Sequence, residues 1–127
     1  MKKNILVVES HLSTSILLEE VLSSRQDFCV FVGKDLKTSL HLVKSVYFDL
    51  IITNTKIEGV KNFLSLFNFL NDIRKITGGV PVLIYSADNI EVLGEIRHLF
   101  TDHIQYPDLI SLDPNKALLK KVEELLT

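Results

Sequence analysis

The sequence predicts one α/β domain: a parallel sheet covered by helices on both faces. Short, β-branched apolar runs recur at residues 4–8, 28–32, 50–53, 80–85 and, more weakly, 103–106. Longer segments with helical spacing separate them, so the order reads (βα)5. The runs are apolar at nearly every position instead of every second one, as strands buried on both faces must be. At 127 residues the chain is the size of a single domain, residues 1–127, and needs no disulfide or metal staple.

Each helix has its own pattern. Ile16, Leu17, Leu18, Val21 and Leu22 give the first a broad apolar stripe. Leu36, Leu40 and Val43 fall at i, i+4 and i+7 in the second, with Asp35 placed to cap it. The third is expected to bury Phe63, Phe67 and Leu70, widened by Leu66 and Ile73, with Leu64 and Phe69 off that stripe. Gly78-Gly79 suits its end. A fourth is expected over residues 89–100, with Ile90, Val92, Leu93, Ile96, Leu99 and Phe100. Asp113-Pro114 fits the start of the fifth, which carries Leu118, Leu119, Val122, Leu125 and Leu126.

Composition excludes several classes of function. Hydrophobic residues make up 46% and charged residues 24%, which excludes disorder. Fourteen Lys+Arg against sixteen Asp+Glu leave a net charge of −2 with the signs interspersed. No electrostatic footprint for nucleic acid or an anionic membrane follows from that. One cysteine, Cys29, excludes an internal disulfide and is expected to be a buried thiol. A strand begins within a few residues of the first, without room for a signal peptide, and no apolar stretch is long enough to span a bilayer. A soluble, cytoplasmic protein is the expectation.

In open parallel sheets, ligands gather beyond the carboxyl ends of the strands. That directs attention to Glu9, Ser10 and His11, to Gly33 and Lys34, to Asn54, Thr55 and Lys56, to Ser86 and Ala87, and to Tyr106 and Pro107. No glycine-rich phosphate loop occurs there, and no Cys/His cluster has ligand spacing, so neither a cofactor nor a metal is expected.

Taken in order, these strand ends resemble those of receiver domains of two-component response regulators. Ile5-Leu6-Val7-Val8-Glu9-Ser10 matches the first strand and the acidic pair that ends it. Phe48-Asp49-Leu50-Ile51-Ile52-Thr53-Asn54 matches the third strand, and Gly59 the glycine of the loop after it. Val80-Pro81-Val82-Leu83-Ile84-Tyr85-Ser86-Ala87 matches the fourth strand, and Tyr106-Pro107 stands where the family has Lys-Pro. The resemblance implies a flavodoxin-like (βα)5 three-layer sandwich with a five-stranded parallel sheet in the order 2-1-3-4-5.

The departures from the family pattern carry the functional expectation. Asn54 stands at the phospho-accepting Asp and has no nucleophilic carboxylate. Ser10 replaces one of the acidic residues that help to hold Mg2+, and only Glu9 remains. A unit charge pair at ~4 Å contributes about 4 kcal/mol at an effective dielectric near 20, so losing two anions removes the basis of Mg2+ affinity. Tyr106 replaces the phosphate-pairing lysine, while Ser86 keeps the hydroxyl. The resemblance therefore implies a pseudo-receiver: Glu9, Ser10, Asn54, Ser86 and Tyr106 form a degenerate pocket filled by side-chain hydrogen bonds, and no enzyme activity is expected.

Receivers meet partners and dimerise through the fourth helix, fifth strand and fifth helix. Here that implies Ile90, Leu93, Arg97, His98, His103, Gln105 and Tyr106, facing a signalling protein or a second copy. His103 takes the family's aromatic switch position, where an imidazole titrates between about pH 5 and 8. Glu58 replaces a common proline, which predicts a looser loop after Asn54. Two alternatives stay open: a pocket still answering to a ligand, proton or phosphoryl mimic, and a hydrolase using Ser10 or Ser86 with His11 and Glu9.

Overall fold

A computed structural model describes residues 2–87, 94–105 and 114–127. Five parallel strands, β1 (Lys3–Val8), β2 (Phe28–Gly33), β3 (Leu50–Thr53), β4 (Val82–Ser86) and β5 (Asp102–Gln105), form one sheet in the order β2-β1-β3-β4-β5. The helices are α1 (Leu12–Ser23), α2 (Leu36–Ser45), α3 (Phe63–Thr77), a 3₁₀ helix (Gly94–Leu99) and α4 (Pro114–Leu126). The flavodoxin-like architecture and its strand order are those the sequence implies.

Side chains alternate across the sheet and so build two cores. Leu6, Val8, Ile51, Val82 and Ile84 point to one face, where α2, α3 and the 3₁₀ helix add Val43, Leu66, Phe69, Leu70, Ile73, Ile96 and Leu99. Ile5, Val7, Leu50, Ile52 and Leu83 point to the other, covered by Leu18 and Leu22 of α1 and by Leu118 and Val122 of α4. Each fully buried Leu or Ile contributes roughly 1.5–3 kcal/mol, so a central strand flanked on both faces is fixed in register by its own side chains.

Helix ends follow local chemistry. Asp35 caps α2, its carboxylate accepting the Thr38 N–H at 2.6 Å. Asn62 does the same for α3 through the Ser65 N–H at 2.9 Å, and Gly78 closes that helix at φ 75°. Such left-handed closure is disfavoured for any residue with a Cβ. Gly33 serves packing: a Cβ there would lie 2.2 Å from Ser39 Oγ and 3.1 Å from Ser39 Cα, so its absence lets α2 sit close against β2.

Some expectations are corrected. In α3 the buried residues are Leu66, Phe69, Leu70 and Ile73, so Phe69, expected off the stripe, is in the core and Phe63, expected in it, is 44% exposed; Leu64 is exposed as expected. In α1, Leu18 and Leu22 face the core but Ile16 and Leu17 are exposed. Cys29 is half-buried, because β2 is an edge strand. The expected fourth helix is described from Gly94, as a 3₁₀ helix, and Ile96, Leu99 and Phe100 all lie in the core. Ile90, Val92 and Leu93 lie outside the described residues, as does Asp113. No described helix is long and apolar enough to cross a membrane.

Candidate functional site

Strand register brings the first two site residues together. Val8 pairs with Thr53, so the next residues, Glu9 and Asn54, leave adjacent strands side by side. The Asn54 N–H continues the ladder to the Val8 carbonyl at 3.1 Å, and the Glu9 N–H continues it to Gly33 at 3.0 Å. Both side chains are buried.

Asn54 uses both ends of its amide. Nδ2 donates to Glu9 Oε2 at 2.8 Å. Oδ1 accepts the N–H of Thr55 at 2.7 Å and of Lys56 at 3.2 Å, folding the chain after β3 into an Asx-type turn. Thr53 Oγ1 donates to the Asn54 carbonyl at 2.9 Å. Aspartate would accept the same two N–H groups but has nothing to donate to Glu9.

Glu9 is only 1% exposed. Burial pushes its carboxyl above the ordinary glutamate range, although the Asn54 amide and the His11 N–H, at 3.2 Å from Oε1, both favour the anion. The folded protein therefore holds this proton more tightly than the unfolded chain does. Its stabilising contribution is fully present below the unfolded pKa and is lost as pH rises through the raised folded value. Glu9→Gln removes the titration, so the variant gains stability relative to the parent as pH is raised from about 4 to 7. Paired thermal melts across that range test this; a difference that does not change with pH contradicts it.

Ser10 is turned away from this pair. Its Oγ donates to the Lys34 carbonyl at 2.6 Å and accepts the Glu58 N–H at 2.6 Å. The Leu36 N–H reaches the Glu58 carbonyl at 3.0 Å, and Asp35 and Glu58 form an isolated parallel bridge. Ser10 thus clamps the loops after β2 and β3 together, and the loop carrying Glu58 is tied down, contrary to the expectation of looseness. Ser86, at the end of β4, is fully buried, and its hydroxyl has no partner among the described residues. Tyr106 and Pro107 lie outside the described residues.

Mg2+ does not fit this arrangement. A small hard cation needs several oxygens free to turn toward it. Among the described residues, Glu9 is the carboxylate beside Asn54 at the end of β1, and it is engaged with Asn54 and His11. The Ser10 oxygen is spent on two backbone groups, and among the described residues no cluster of His, Cys, Asp and Glu is arranged to hold a metal. The residues of the hydrolase arrangement are also separated in direction: the His11 ring meets Ser13 Oγ at 2.9 Å.

On the surface expected for partners, four positions can be placed. Arg97 is exposed but bonded to the carbonyls of Phe100 at 2.8 Å and Thr101 at 3.3 Å, with its guanidinium 4.8 Å from the Phe100 ring centre. His98 tilts against Phe67 with ring centres 6.1 Å apart. His103 is half-buried on β5, its N–H bonded to Asp102 Oδ1 at 2.8 Å. Burial opposes ionisation of Asp102, but the Lys121 ammonium at 2.9 Å and the His103 N–H hold its pKa below the ordinary range. Gln105 is exposed and reaches the Ala87 carbonyl at 3.4 Å. Ile90 and Leu93 complete that expected surface outside the described residues.

Sequence reasoning placed Thr55 and Lys56 at the strand ends without giving them a role, and missed Thr53 as part of the site. An Asn immediately after a buried strand is the available signal, since its side chain commonly bonds the following N–H groups.

Doubly covered and ordered 2-1-3-4-5, the sheet puts the protein in the flavodoxin-like class. Within that class its fold is the one found in response-regulator receiver domains. Vibrio cholerae chemotaxis protein CheY4 superposes with a TM-score of 0.81 at 18% identity, over 99% of this chain and 100% of that one. A CheY-like receiver domain protein from Methanospirillum hungatei gives 0.82 at 16% identity, covering 99% and 94%. The receiver domain of the Pseudomonas aeruginosa sensor histidine kinase PA1611, solved with magnesium in its active-site cleft, gives 0.79 at 16% identity, covering 99% and 98%. No protein-family model and no curated protein sequence matches the chain.

Proposed function

We propose that this chain is a pseudo-receiver: a receiver-type domain that has lost phosphotransfer and works as a protein-interaction module in two-component-type signalling, not as an enzyme. The observation that carries the reading is Asn54. A neutral amide stands where the resemblance expects a nucleophilic carboxylate, and it is bonded to Glu9 at 2.8 Å and to the Thr55 N–H at 2.7 Å. Both ends of the side chain are thus hydrogen-bonded within the protein itself. Ser10 supports the same reading, since its hydroxyl joins two loops. Function then rests on the outer surface, with a signalling protein or a second copy as partner.

A second reading has its own support. Glu9 is a buried carboxyl with a raised pKa, and the Ser86 hydroxyl is buried without a partner among the described residues. Together they suit a pocket that answers to a proton or a small donor or acceptor instead of phosphate.

The test is an amide NMR fingerprint of the protein alone, with Mg2+, and with Mg2+ plus beryllofluoride. Resonances near Glu9, Asn54 and Ser86 are expected to stay in place in both additions. Saturable shifts that spread from these residues to His103 overturn the pseudo-receiver reading. Shifts absent with beryllofluoride but present on acidification favour the second reading.

A further inference from the structure

The outer face of α2 carries basic residues and no acidic one along the whole helix. Between Leu36 and Ser45 there is no Asp or Glu, while Lys37, His41 and Lys44 fall at i, i+4 and i+7. That spacing places them on one face, spread over about 10 Å of helix axis. They border a surface groove of about 500 Å³, whose lining also includes Thr38 and Leu40. Leu40 is half-buried and gives the groove an apolar floor. Tyr47, 78% exposed, stands just beyond the helix end.

Lys37 and Lys44 carry the charge of this face, with His41 between them. Among the described residues none of the three takes part in an ion pair, whereas Arg25 pairs with Asp27 and Glu123, and Lys121 with Asp102 and Glu124. Asp35 caps the helix at Thr38, and its carboxyl, held below the ordinary range chiefly by the Thr38 N–H, also feels the Lys37 ammonium without forming an ion pair with it. Asp72 of the neighbouring α3 is exposed and forms no ion pair with them. A basic residue suits the last turn of a helix, which accounts for Lys44. Lys37 lies in the first turn, where the helix dipole favours an anion, so the stripe as a whole has no helix-stability origin.

We propose that the Lys37–His41–Lys44 groove is a docking site for an acidic amphipathic segment of a partner protein. Carboxylates at i and i+7 of a partner helix repeat at the spacing of Lys37 and Lys44, one at i+4 would meet the His41 ring as a hydrogen-bond acceptor, and an apolar residue on the same face would lie on Leu40. A peptide is favoured over nucleic acid because the stripe offers few charges on a chain of net charge −2. This proposal stands whether or not the Asn54 pocket responds to phosphoryl mimics.

The probe is a short helical peptide with Glu at i, i+4 and i+7 and a leucine on the same face, titrated into the full chain and followed by amide NMR. Saturable shifts confined to residues 36–47 are expected, weakening with added salt. Affinity should fall about tenfold or more in the double variant Lys37→Glu/Lys44→Glu, and less in Lys37→Gln/Lys44→Gln. Lys75→Glu/Lys120→Glu, on α3 and α4, should leave it unchanged. Shifts shared equally among all lysines, or absent at millimolar peptide, overturn the proposal. So does displacement of the peptide by a DNA duplex, which assigns the face to nucleic acid. Shifts in α2 that appear on concentrating the protein alone also overturn it, making a second copy the occupant.

Discussion

Asn54→Asp is expected to destabilise the protein by about 2–4 kcal/mol at neutral pH. The substitution keeps the shape of the side chain and the acceptor for Thr55 and Lys56. It removes the amide donor to Glu9 Oε2 and sets a second carboxylate where Nδ2 now lies 2.8 Å from that oxygen. A hydrogen bond to a charged group contributes about 1.5–3 kcal/mol, and two buried carboxylates this close do not both ionise. One of them takes up a proton, so the pair holds protons more tightly folded than unfolded. The penalty must then grow as pH rises through the raised folded value and shrink below the unfolded one. Urea unfolding at about pH 7 and pH 5 reads this directly, and the melting temperature should fall on the order of 10 °C at the higher pH. Partner binding should change little. An Asn54→Asp protein that is as stable as the parent and is further stabilised by Mg2+ contradicts the reading, since the pocket would then be a silenced metal site.

Glu9 and Asn54 were legible together because parallel register is strict: β1 and β3 end level, Val8 beside Thr53, and deliver the residues after them to the same height. Their hydrogen bond could be anticipated from donor and acceptor chemistry alone. Ser10 was not legible in the same way. Its neighbour along the chain points into the site, but Ser10 itself points toward Lys34 and Glu58, groups distant in sequence whose positions depend on how two loops cross. The looseness expected around Glu58 failed for the same reason, since backbone bonds to Leu36 and Ser10 replace whatever rigidity a proline would give.

Strand order and cover were legible because unbroken apolar runs admit few alternatives once helices intervene. Helix phase was less so. In α2, apolar residues are sparse and polar ones abundant, so Leu36, Leu40 and Val43 point to a single buried face. In α1 and α3 the apolar residues exceed what one face can bury, and their excess is exposed at Ile16, Leu17, Phe63 and Leu64. The absence of acidic residues from α2 can be read in the sequence; the groove beside the helix cannot.

The phase of α3 yields the second large effect. Apolar residues at 63, 64, 66, 67, 69, 70, 73 and 76 nearly encircle this helix, so one stripe through Phe63, Phe67 and Leu70 and another through Leu66, Phe69, Leu70 and Ile73 are both consistent with a period near four. The sheet and α2 decide between them, because the helix must present one azimuth to Ile51 and Val82 while lying beside Val43. That azimuth is the second stripe: Phe69 is 2% exposed and Phe63 44%. Phe69→Ala should therefore cost about 3–5 kcal/mol, the transfer free energy of a buried ring plus the cavity it leaves. Phe63→Ala should cost within about 0.5 kcal/mol, as exposed substitutions generally do. The two variants differ by one helix face and share the same chemistry, so propensity and loss of an aromatic ring cancel between them. Equilibrium urea unfolding of both, with the denaturant slope checked for constancy, isolates burial. If Phe63→Ala proves the more damaging, α3 is rotated from the phase described, and Val43, Ile51 and Val82 must find another partner in the core.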